Sequence, residues 1–261
     1  YSVLVVDADP QCNSTIYLFT EDIFEKVYYQ KEGFTIFDVV KSVQKGEGYV
    51  RKIDTCHINN FKIDFIPGDP RLSFFEDVLS TDWKDSLSGG ERGIRTTMTF
   101  RNLVGRCNKY DFILFDIGPS LGAINRSILL ACNYFITPMS SDIFSILAVE
   151  NIGKTLNKWK YDFKSGCERC EDTEVIESLT PLPDLKFAGY ITQQYTAKSK
   201  DGVRRPVLAY EKILKDIPDI IKQELIDTIN IDSPNINYLL GTIPNFNSII
   251  PMSQTAHKPA F

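Results

Sequence analysis

The 261-residue chain has no run approaching the roughly 18 consecutive apolar residues of a membrane-spanning helix, so no membrane association is expected. Histidine is nearly absent, with His57 and His257 isolated in the sequence, and the one CxxC, "CERC" at 167 to 170, has no second pair. Zinc asks for four ligands, which excludes a sequence-evident zinc site and leaves two reduced thiols in a solvated loop. Excess positive charge is also lacking: the net charge is -5, so any nucleic-acid surface must be a local patch. There is no internal repeat and no linker rich in Pro, Gly or Ser, which argues for a single domain over 1–261. The six cysteines are scattered through a chain long enough to build its own core. They read as cytosolic thiols rather than a disulfide framework, and the expected setting is cytoplasmic.

What is present is an alternation of short apolar runs and longer amphipathic stretches. "VLVVD" (3–7), "KIDFIPG" (62–68), "DFILFD" (111–116), "NYFITPM" (133–139), "KFAGYIT" (186–192) and "YLLGTIP" (238–244) are mostly apolar throughout, as strands buried on both faces of a parallel sheet are. In 142–160, Ile143, Ile146, Leu147, Ile152, Leu156 and Trp159 fall mostly on one helical stripe, with Glu150, Asn151, Lys154 and Lys158 off it. This pattern predicts an α/β fold, a doubly wound, mostly parallel sheet flanked by helices. The charged stretch 164–184, punctuated by Pro181 and Pro183, is expected to be an insertion or mobile loop.

In open parallel sheets, ligands bind beyond the carboxyl ends of the strands. Two strands here end in acids at that edge: "VLVVDAD", with Asp7 and Asp9, and "FILFD", with Asp116. Four apolar residues and an aspartate have the form of a Walker B strand, whose acid serves magnesium beside a nucleotide's phosphates. The plainer alternative is that Asp116 only caps the turn before a helix at 120–132.

"VLVVDADPQCNST" resembles the ParA/MinD-type partition ATPases, in which a strand delivers D-x-D-P-Q-G-N. "YDFILFDIGPSLGAINRSILLACNYFITPMSSDIFSILAVENI" (110–152) resembles the same family's Walker B segment with the strand and helix after it. "LLGTIPNFNSIIPMSQTAHKPAF" (239–261) resembles its closing segment. The resemblance runs in order along nearly the whole chain and implies a P-loop NTPase-like fold. Cys12 stands where the family has glycine, and Ile117, Gly118 and Pro119 replace Thr-Pro-Pro.

The resemblance implies ATP and Mg2+ as cofactors and an ATP-dependent homodimer whose slow hydrolysis switches the position of DNA or a protein cargo. A protein partner stimulating hydrolysis is implied with it. Asp9 matches the acid that orients the attacking water, while Asp7 and Asp116 match acids acting on magnesium through its bound waters. Gly118 and Pro119 shape the turn over the γ-phosphate. Gln193 or Gln194 matches the amide against adenine, and Pro244 matches the other wall of the base pocket. Residues 1–261 contain no G-x-x-x-x-G-K-S/T and no K-G-G-x-G-K-T. The family's first strand, phosphate loop and first helix are therefore expected before Tyr1, and the alternative is a non-hydrolysing scaffold or regulatory binding module. An amidoligase or a metal-cluster scaffold of the same superfamily is the third reading, the latter disfavoured by the missing second CxxC.

Two further stretches offer competing chemistry. "LSGGERG" (87–93) looks like the signature loop of ABC-transporter ATPases, but "DIGPS" follows the Walker B-like acid where that family has glutamate and proline, so a flexible glycine loop is expected. "TAKSKDGVRRPVLAYEKILK" (196–215) holds Lys198, Lys200, Arg204, Arg205, Lys212 and Lys215. It reads either as a solvated loop and helix face or as a non-specific DNA surface, since phosphate neutralisation needs only a handful of such charges.

Overall fold

The computed structural model describes residues 1–140, 143–195, 197–200, 203–206, 208–229, 237–244, 246 and 249–260. They form two compact units: Tyr1–Ala131 with Phe163–Leu182 and Ser248–Phe261, and Cys132–Asp162 with Pro183–Asn247.

The first unit begins with β1 (Val3–Asp7), α1 (Asn13–Leu18), α2 (Glu21–Phe24), which runs on as a π-helical turn through Tyr29, and α3 (Ile36–Gln44). α3 starts at Thr35, whose free N–H donates to the Asp38 carboxylate at 2.9 Å, satisfying a donor that the helix itself cannot. β2 (Cys56–Ile58), β3 (Ile63–Ile66), α4 (Ser73–Leu87), α5 (Glu91–Thr97), α6 (Thr99–Arg106), β4 (Phe112–Asp116) and α7 (Ala123–Ala131) follow. The strands lie in the order β2, β3, β1, β4; the last three are parallel, and β2 adds an antiparallel edge that the sequence pattern did not reveal. Leu4 and Val6 of β1 and Phe65 and Ile66 of β3 are fully buried, with Phe75, Leu79, Ile94, Phe100 and Leu103 from the helices closing the core. Each such side chain contributes about 1.5–3 kcal/mol on burial.

β4 has the composition of a central strand, yet among the described residues it pairs on one side only, with β1. Phe112 and Leu114, which share one face of the strand, are 51% and 52% exposed. An apolar strand at an open edge is unusual, since natural edges are short, charged or covered.

In the second unit, β5 (Tyr134–Ser140) leads into α8 (Ile143–Arg169), a helix about 40 Å long at 1.5 Å per residue, whose last residues belong to the first unit. α9 (Thr173–Leu179) also belongs to the first unit. Then come β6 (Lys186–Tyr195), the antiparallel pair β7 (Ala197–Lys200) and β8 (Val203–Pro206), α10 (Leu208–Ile221), α11 (Asp227–Ile229) and β9 (Leu239–Pro244). α12 (Ile249–Ala256) returns to the first unit. β5, β6 and β9 are all parallel, with Phe187 of β6 stacked on Tyr238 at 5.6 Å between ring centres.

The architecture is mostly parallel sheet flanked by helices, and every strand-like run in the sequence becomes a strand. The loop expected over 164–184 is corrected: residues through Arg169 continue α8, and 173–179 form α9. Its charges lie beside a buried stripe of Phe163, Cys167, Val175 and Leu179, and Phe163 stacks on Trp83. Gly166 comes so close to α4 that a Cβ there would lie 2.1 Å from the Ser86 carbonyl oxygen. The stretch 196–215, expected as loop and helix face, contains the β7–β8 hairpin. No helix among the described residues is long and apolar enough to cross a membrane.

Candidate functional site

β1 and β4 are adjacent, parallel and in register, which sets Asp7 directly opposite Asp116 at the carboxyl ends of the two strands. The chain leaving β1 stays tied to β4 through the Ala8 N–H, which donates to the Asp116 carbonyl at 2.8 Å. Asp9 then turns the chain: its side chain accepts from the Gln11 N–H at 2.9 Å and its carbonyl from the Cys12 N–H at 2.9 Å. Cys12 completes the turn with φ 57°, in the left-handed region where the resembling family uses glycine.

The first turn of α1 then answers both strand-end acids. Ser14 donates its hydroxyl to Asp116 at 2.5 Å. Thr15 donates its N–H and hydroxyl to the same oxygen of Asp7, at 2.8 and 2.6 Å, and its hydroxyl accepts from the Gly68 N–H at 2.7 Å. Asp7 is fully buried, with Gly68 against it; a Cβ on that glycine would lie 2.8 Å from the carboxyl carbon and 2.9 Å from the Cys12 sulfur. Burial raises the Asp7 pKa above its ordinary value, opposed by the Thr15 hydrogen bonds and reinforced by the charge of Asp116. Burial together with Asp7, Asp69 and Asp9 pushes the Cys12 thiol up to about 12.

Asp116 and Asp9 differ from Asp7 in access. Asp116 is exposed and Asp9 half-exposed. Gly118 packs against Asp9, its would-be Cβ 3.2 Å from a carboxylate oxygen. Asn125, only 4% exposed, donates to the carbonyls of Gly118 at 2.6 Å and Ser120 at 2.5 Å, so the turn carrying Gly118 and Pro119 is fixed from below. Among the described residues no lysine or arginine forms an ion pair with Asp7, Asp9 or Asp116. Asp7 is turned inward onto Thr15, which leaves Asp9 and Asp116 as the accessible carboxylates. Among the described residues no three His, Cys, Asp or Glu side chains are set to hold a metal ion directly. That donor set suits magnesium, which keeps several waters and takes only one or two carboxylates alongside phosphate oxygens.

The structure thus brings Asp7, Asp9, Asp116, Gly118 and Pro119 together. Gln193 and Pro244 lie in the second unit, at the carboxyl ends of the paired parallel strands β6 and β9; Gln193 is opposite Ile243, and Pro244 opposite Tyr195. Lys198 is paired with Arg205 and Ser199 with Arg204 across the hairpin, Lys200 is opposite Val203, and Lys215 is exposed on α10. The side chains of Gln194, Lys198, Lys200, Arg204, Arg205, Lys212 and Pro244 lie outside the described residues.

The other stretches resolve as packing. Ser88 to Gly90 form the tight turn between α4 and α5, Gly89 has φ +88°, and Asp85 accepts from the Gly93 N–H at 2.8 Å. Cys167 is buried, His57 pairs with Asp64 at 2.8 Å, and His257 meets the Tyr17 carbonyl at 3.1 Å. Sequence reasoning missed Ser14, Thr15, Gly68 and Asn125. Ser14 and Thr15 were legible in principle, as hydroxyls one turn into a helix that starts at the acids. Nothing local marks Gly68, because its partner is on another strand.

Adjacent parallel strands tipped with acids, a helix starting at those acids and a fixed turn beside them define an α/β domain of the P-loop NTPase type. A family model described as AAA domain matches residues 1–168, more than half the chain. The chain belongs to that family and is of the ParA/MinD type. It is 27% identical over 207 residues to an uncharacterized protein of Methanocaldococcus jannaschii, covering 78% of this chain and 66% of that one. To the cell division protein PomZ of Myxococcus xanthus it is 25% identical over 245 residues, covering 88% and 68%. The chain therefore spans about two thirds of the length of these relatives. A crystal structure of a Corynebacterium diphtheriae protein superimposes with TM-score 0.78 at 27% identity, covering 98% of this chain and 87% of that one. A plasmid partition protein of Borrelia burgdorferi B31 bound to AMPPNP shares the fold at 16% identity, with TM-score 0.59 and 99% and 78% coverage.

Proposed function

We propose that this chain is the ATPase domain of a partition-type switch that binds ATP with Mg2+, dimerises around two nucleotides and hydrolyses slowly in the cytoplasm. Its output is the position of a DNA or protein cargo, and a protein partner stimulates turnover. The observation that carries this reading is the meeting of Asp9, Asp116 and the Gly118 turn beyond two adjacent parallel strands, with no lysine or arginine among the described residues paired to the acids. The relatives give further support: PomZ is a cell division protein, and the Borrelia plasmid partition protein holds an ATP analogue.

Bound magnesium would neutralise phosphate charge as the leaving group departs. Asp116 would hold a metal-bound water with the oxygen that Ser14 leaves free. Asp9, half-exposed and braced by Gln11, would orient the attacking water and accept its proton. Asp7 would act from behind, fixing the start of α1 through Thr15 rather than facing solvent. Gln193, Gln194 and Pro244 would contact the adenine, and 1–261 would serve as a single functional domain.

Hydrolysis also needs a phosphate loop, which residues 1–261 do not contain. The edge of β4 that is unpaired among the described residues is where a strand bearing such a loop would pair. A non-specific DNA surface on the β7–β8 hairpin and α10 completes the reading. The test uses the protein encoded by its whole gene, with mass measured with and without Mg-ATP and retention on random duplex followed against salt. The proposal expects a nucleotide-dependent doubling of mass and ATP-dependent retention that weakens steeply with salt. An unchanged mass at saturating Mg-ATP would favour the scaffold reading instead.

A further inference from the structure

Between Asp116 and α7 lies the loop 117–122, which runs beside Asp9. No backbone–backbone hydrogen bond ties 117–121 to any other described residue. What holds this loop is two side chains outside the three acids. Asn125, in the first turn of α7 and nearly fully buried, uses its amide nitrogen for the Gly118 and Ser120 carbonyls. A primary amide has two N–H donors, so both are consumed by one loop. Glu76, from α4, accepts from the N–H groups of Ala123 at 2.5 Å and Ile124 at 2.8 Å, with a different carboxylate oxygen for each. Those are two of the donors a helix start leaves without partners, and the carboxylate also sits at the positive end of the helix dipole. Gly122 leaves room for this contact: a Cβ there would lie 2.7 Å from that Glu76 oxygen, and the carboxylate would have to shift.

We propose that Asn125 and Glu76 are positioning residues for the phosphate-facing loop 117–122. Each fixes the loop from one side. Ala8 holds the loop's entry through Asp116, Glu76 holds its exit at α7, and Asn125 sets the carbonyl directions in between. Because C=O and N–H of a trans peptide point in opposite directions, turning the Ser120 carbonyl onto Asn125 turns the Leu121 N–H away from it. Gly118 is kept against Asp9 by the same constraint. The grip extends along α4: Arg126 of α7 lies 4.2 Å over the Trp83 ring and reaches the Leu79 carbonyl at 3.5 Å. A change in the loop therefore has a packed route to α4.

This inference rests on the ATPase reading of the same site, and its test separates the two. Asn125→Asp keeps the shape but sets a carboxylate oxygen against two carbonyls. Asn125→Ser keeps one donor, and Glu76→Gln keeps one good acceptor. Amide exchange of 117–122 is followed by mass spectrometry in the nucleotide-free whole protein, alongside steady-state turnover and Tm. Asn125→Asp is expected to speed loop exchange by about tenfold or more. It should lower kcat by about ten- to a hundredfold while KM for ATP moves by less than about threefold. Asn125→Ser should recover part of both effects, and Glu76→Gln should show a smaller change of the same kind.

Unchanged loop exchange in Asn125→Asp overturns the proposal, as does a fall in kcat that merely follows the fraction of unfolded protein. If Asn125→Asp does not fold, Glu76→Gln, on a half-exposed side chain, decides by the same two readouts. If the unsubstituted protein binds no ATP, the ATPase reading falls, and the nucleotide-free exchange comparison still decides the positioning claim.

Discussion

Gly68 and Asp7 share one small space, and that space governs the base of the site. A methyl group on Gly68 would meet the Asp7 carboxyl and the Cys12 sulfur at under 3 Å, and none of the three sits on a flexible chain end. Gly68→Ala should therefore destabilise the protein by about 1–3 kcal/mol through overpacking, read as a lowered denaturation midpoint with unchanged m. Asp7 adds a pH signature. Its native pKa lies above the ordinary 3.8, raised mainly by burial, so the folded state holds this proton more tightly than the unfolded chain does. The contribution is complete below 3.8 and is lost as pH rises through the native value. Relative to Asp7→Asn, the unsubstituted protein should lose stability as pH is raised from that point towards neutrality, by at most about 1.4 kcal/mol per pH unit. Parallel urea titrations of the two proteins check the sign; a difference independent of pH would contradict it.

At the scale of elements, α8 and α4 are locked by the absence of a side chain. Gly166 lets the α8 backbone approach Ser86, and Gly93 of α5 approaches α4 as closely, its would-be Cβ 2.3 Å from the Ser86 nitrogen. Gly166→Ala should force the end of α8 away from α4. The expected cost is about 1–3 kcal/mol, with faster amide exchange in 163–169, since the neighbour is backbone and cannot swing aside. The same contact explains what the sequence hid. The run "KSGCERCEDTE" looks like a loop because charge and glycine dominate it, whereas its helix is held by Phe163, Cys167 and a glycine whose partner lies on another element. The strands were legible because burial on both faces leaves an unbroken apolar run. β2 was not legible: it is three residues long, with His57 and Cys56 only partly covered, and has no such run.

For the whole molecule, each unit carries its own parallel sheet, and the residues assigned to phosphate and magnesium chemistry lie on one while those assigned to the base lie on the other. The acids were readable from sequence because each ends an apolar strand. Their unequal roles were not. Asp7 and Asp116 look alike in one dimension, and only the register of β1 with β4 and the start of α1 bury the first and expose the second. Asn125 and Glu76 were invisible for the same reason, their partners being backbone atoms of the 117–122 loop and of the first residues of α7, which no side-chain pattern in the sequence marks. Asp9 is assigned to turnover and not to assembly. Mg-ATP hydrolysis and nucleotide-dependent dimerisation, measured side by side on the whole protein and its Asp9→Ala variant, test it most directly. Hydrolysis is expected to fall by about a hundredfold or more in the variant with dimerisation retained. Equal turnover in the two proteins would contradict the assignment.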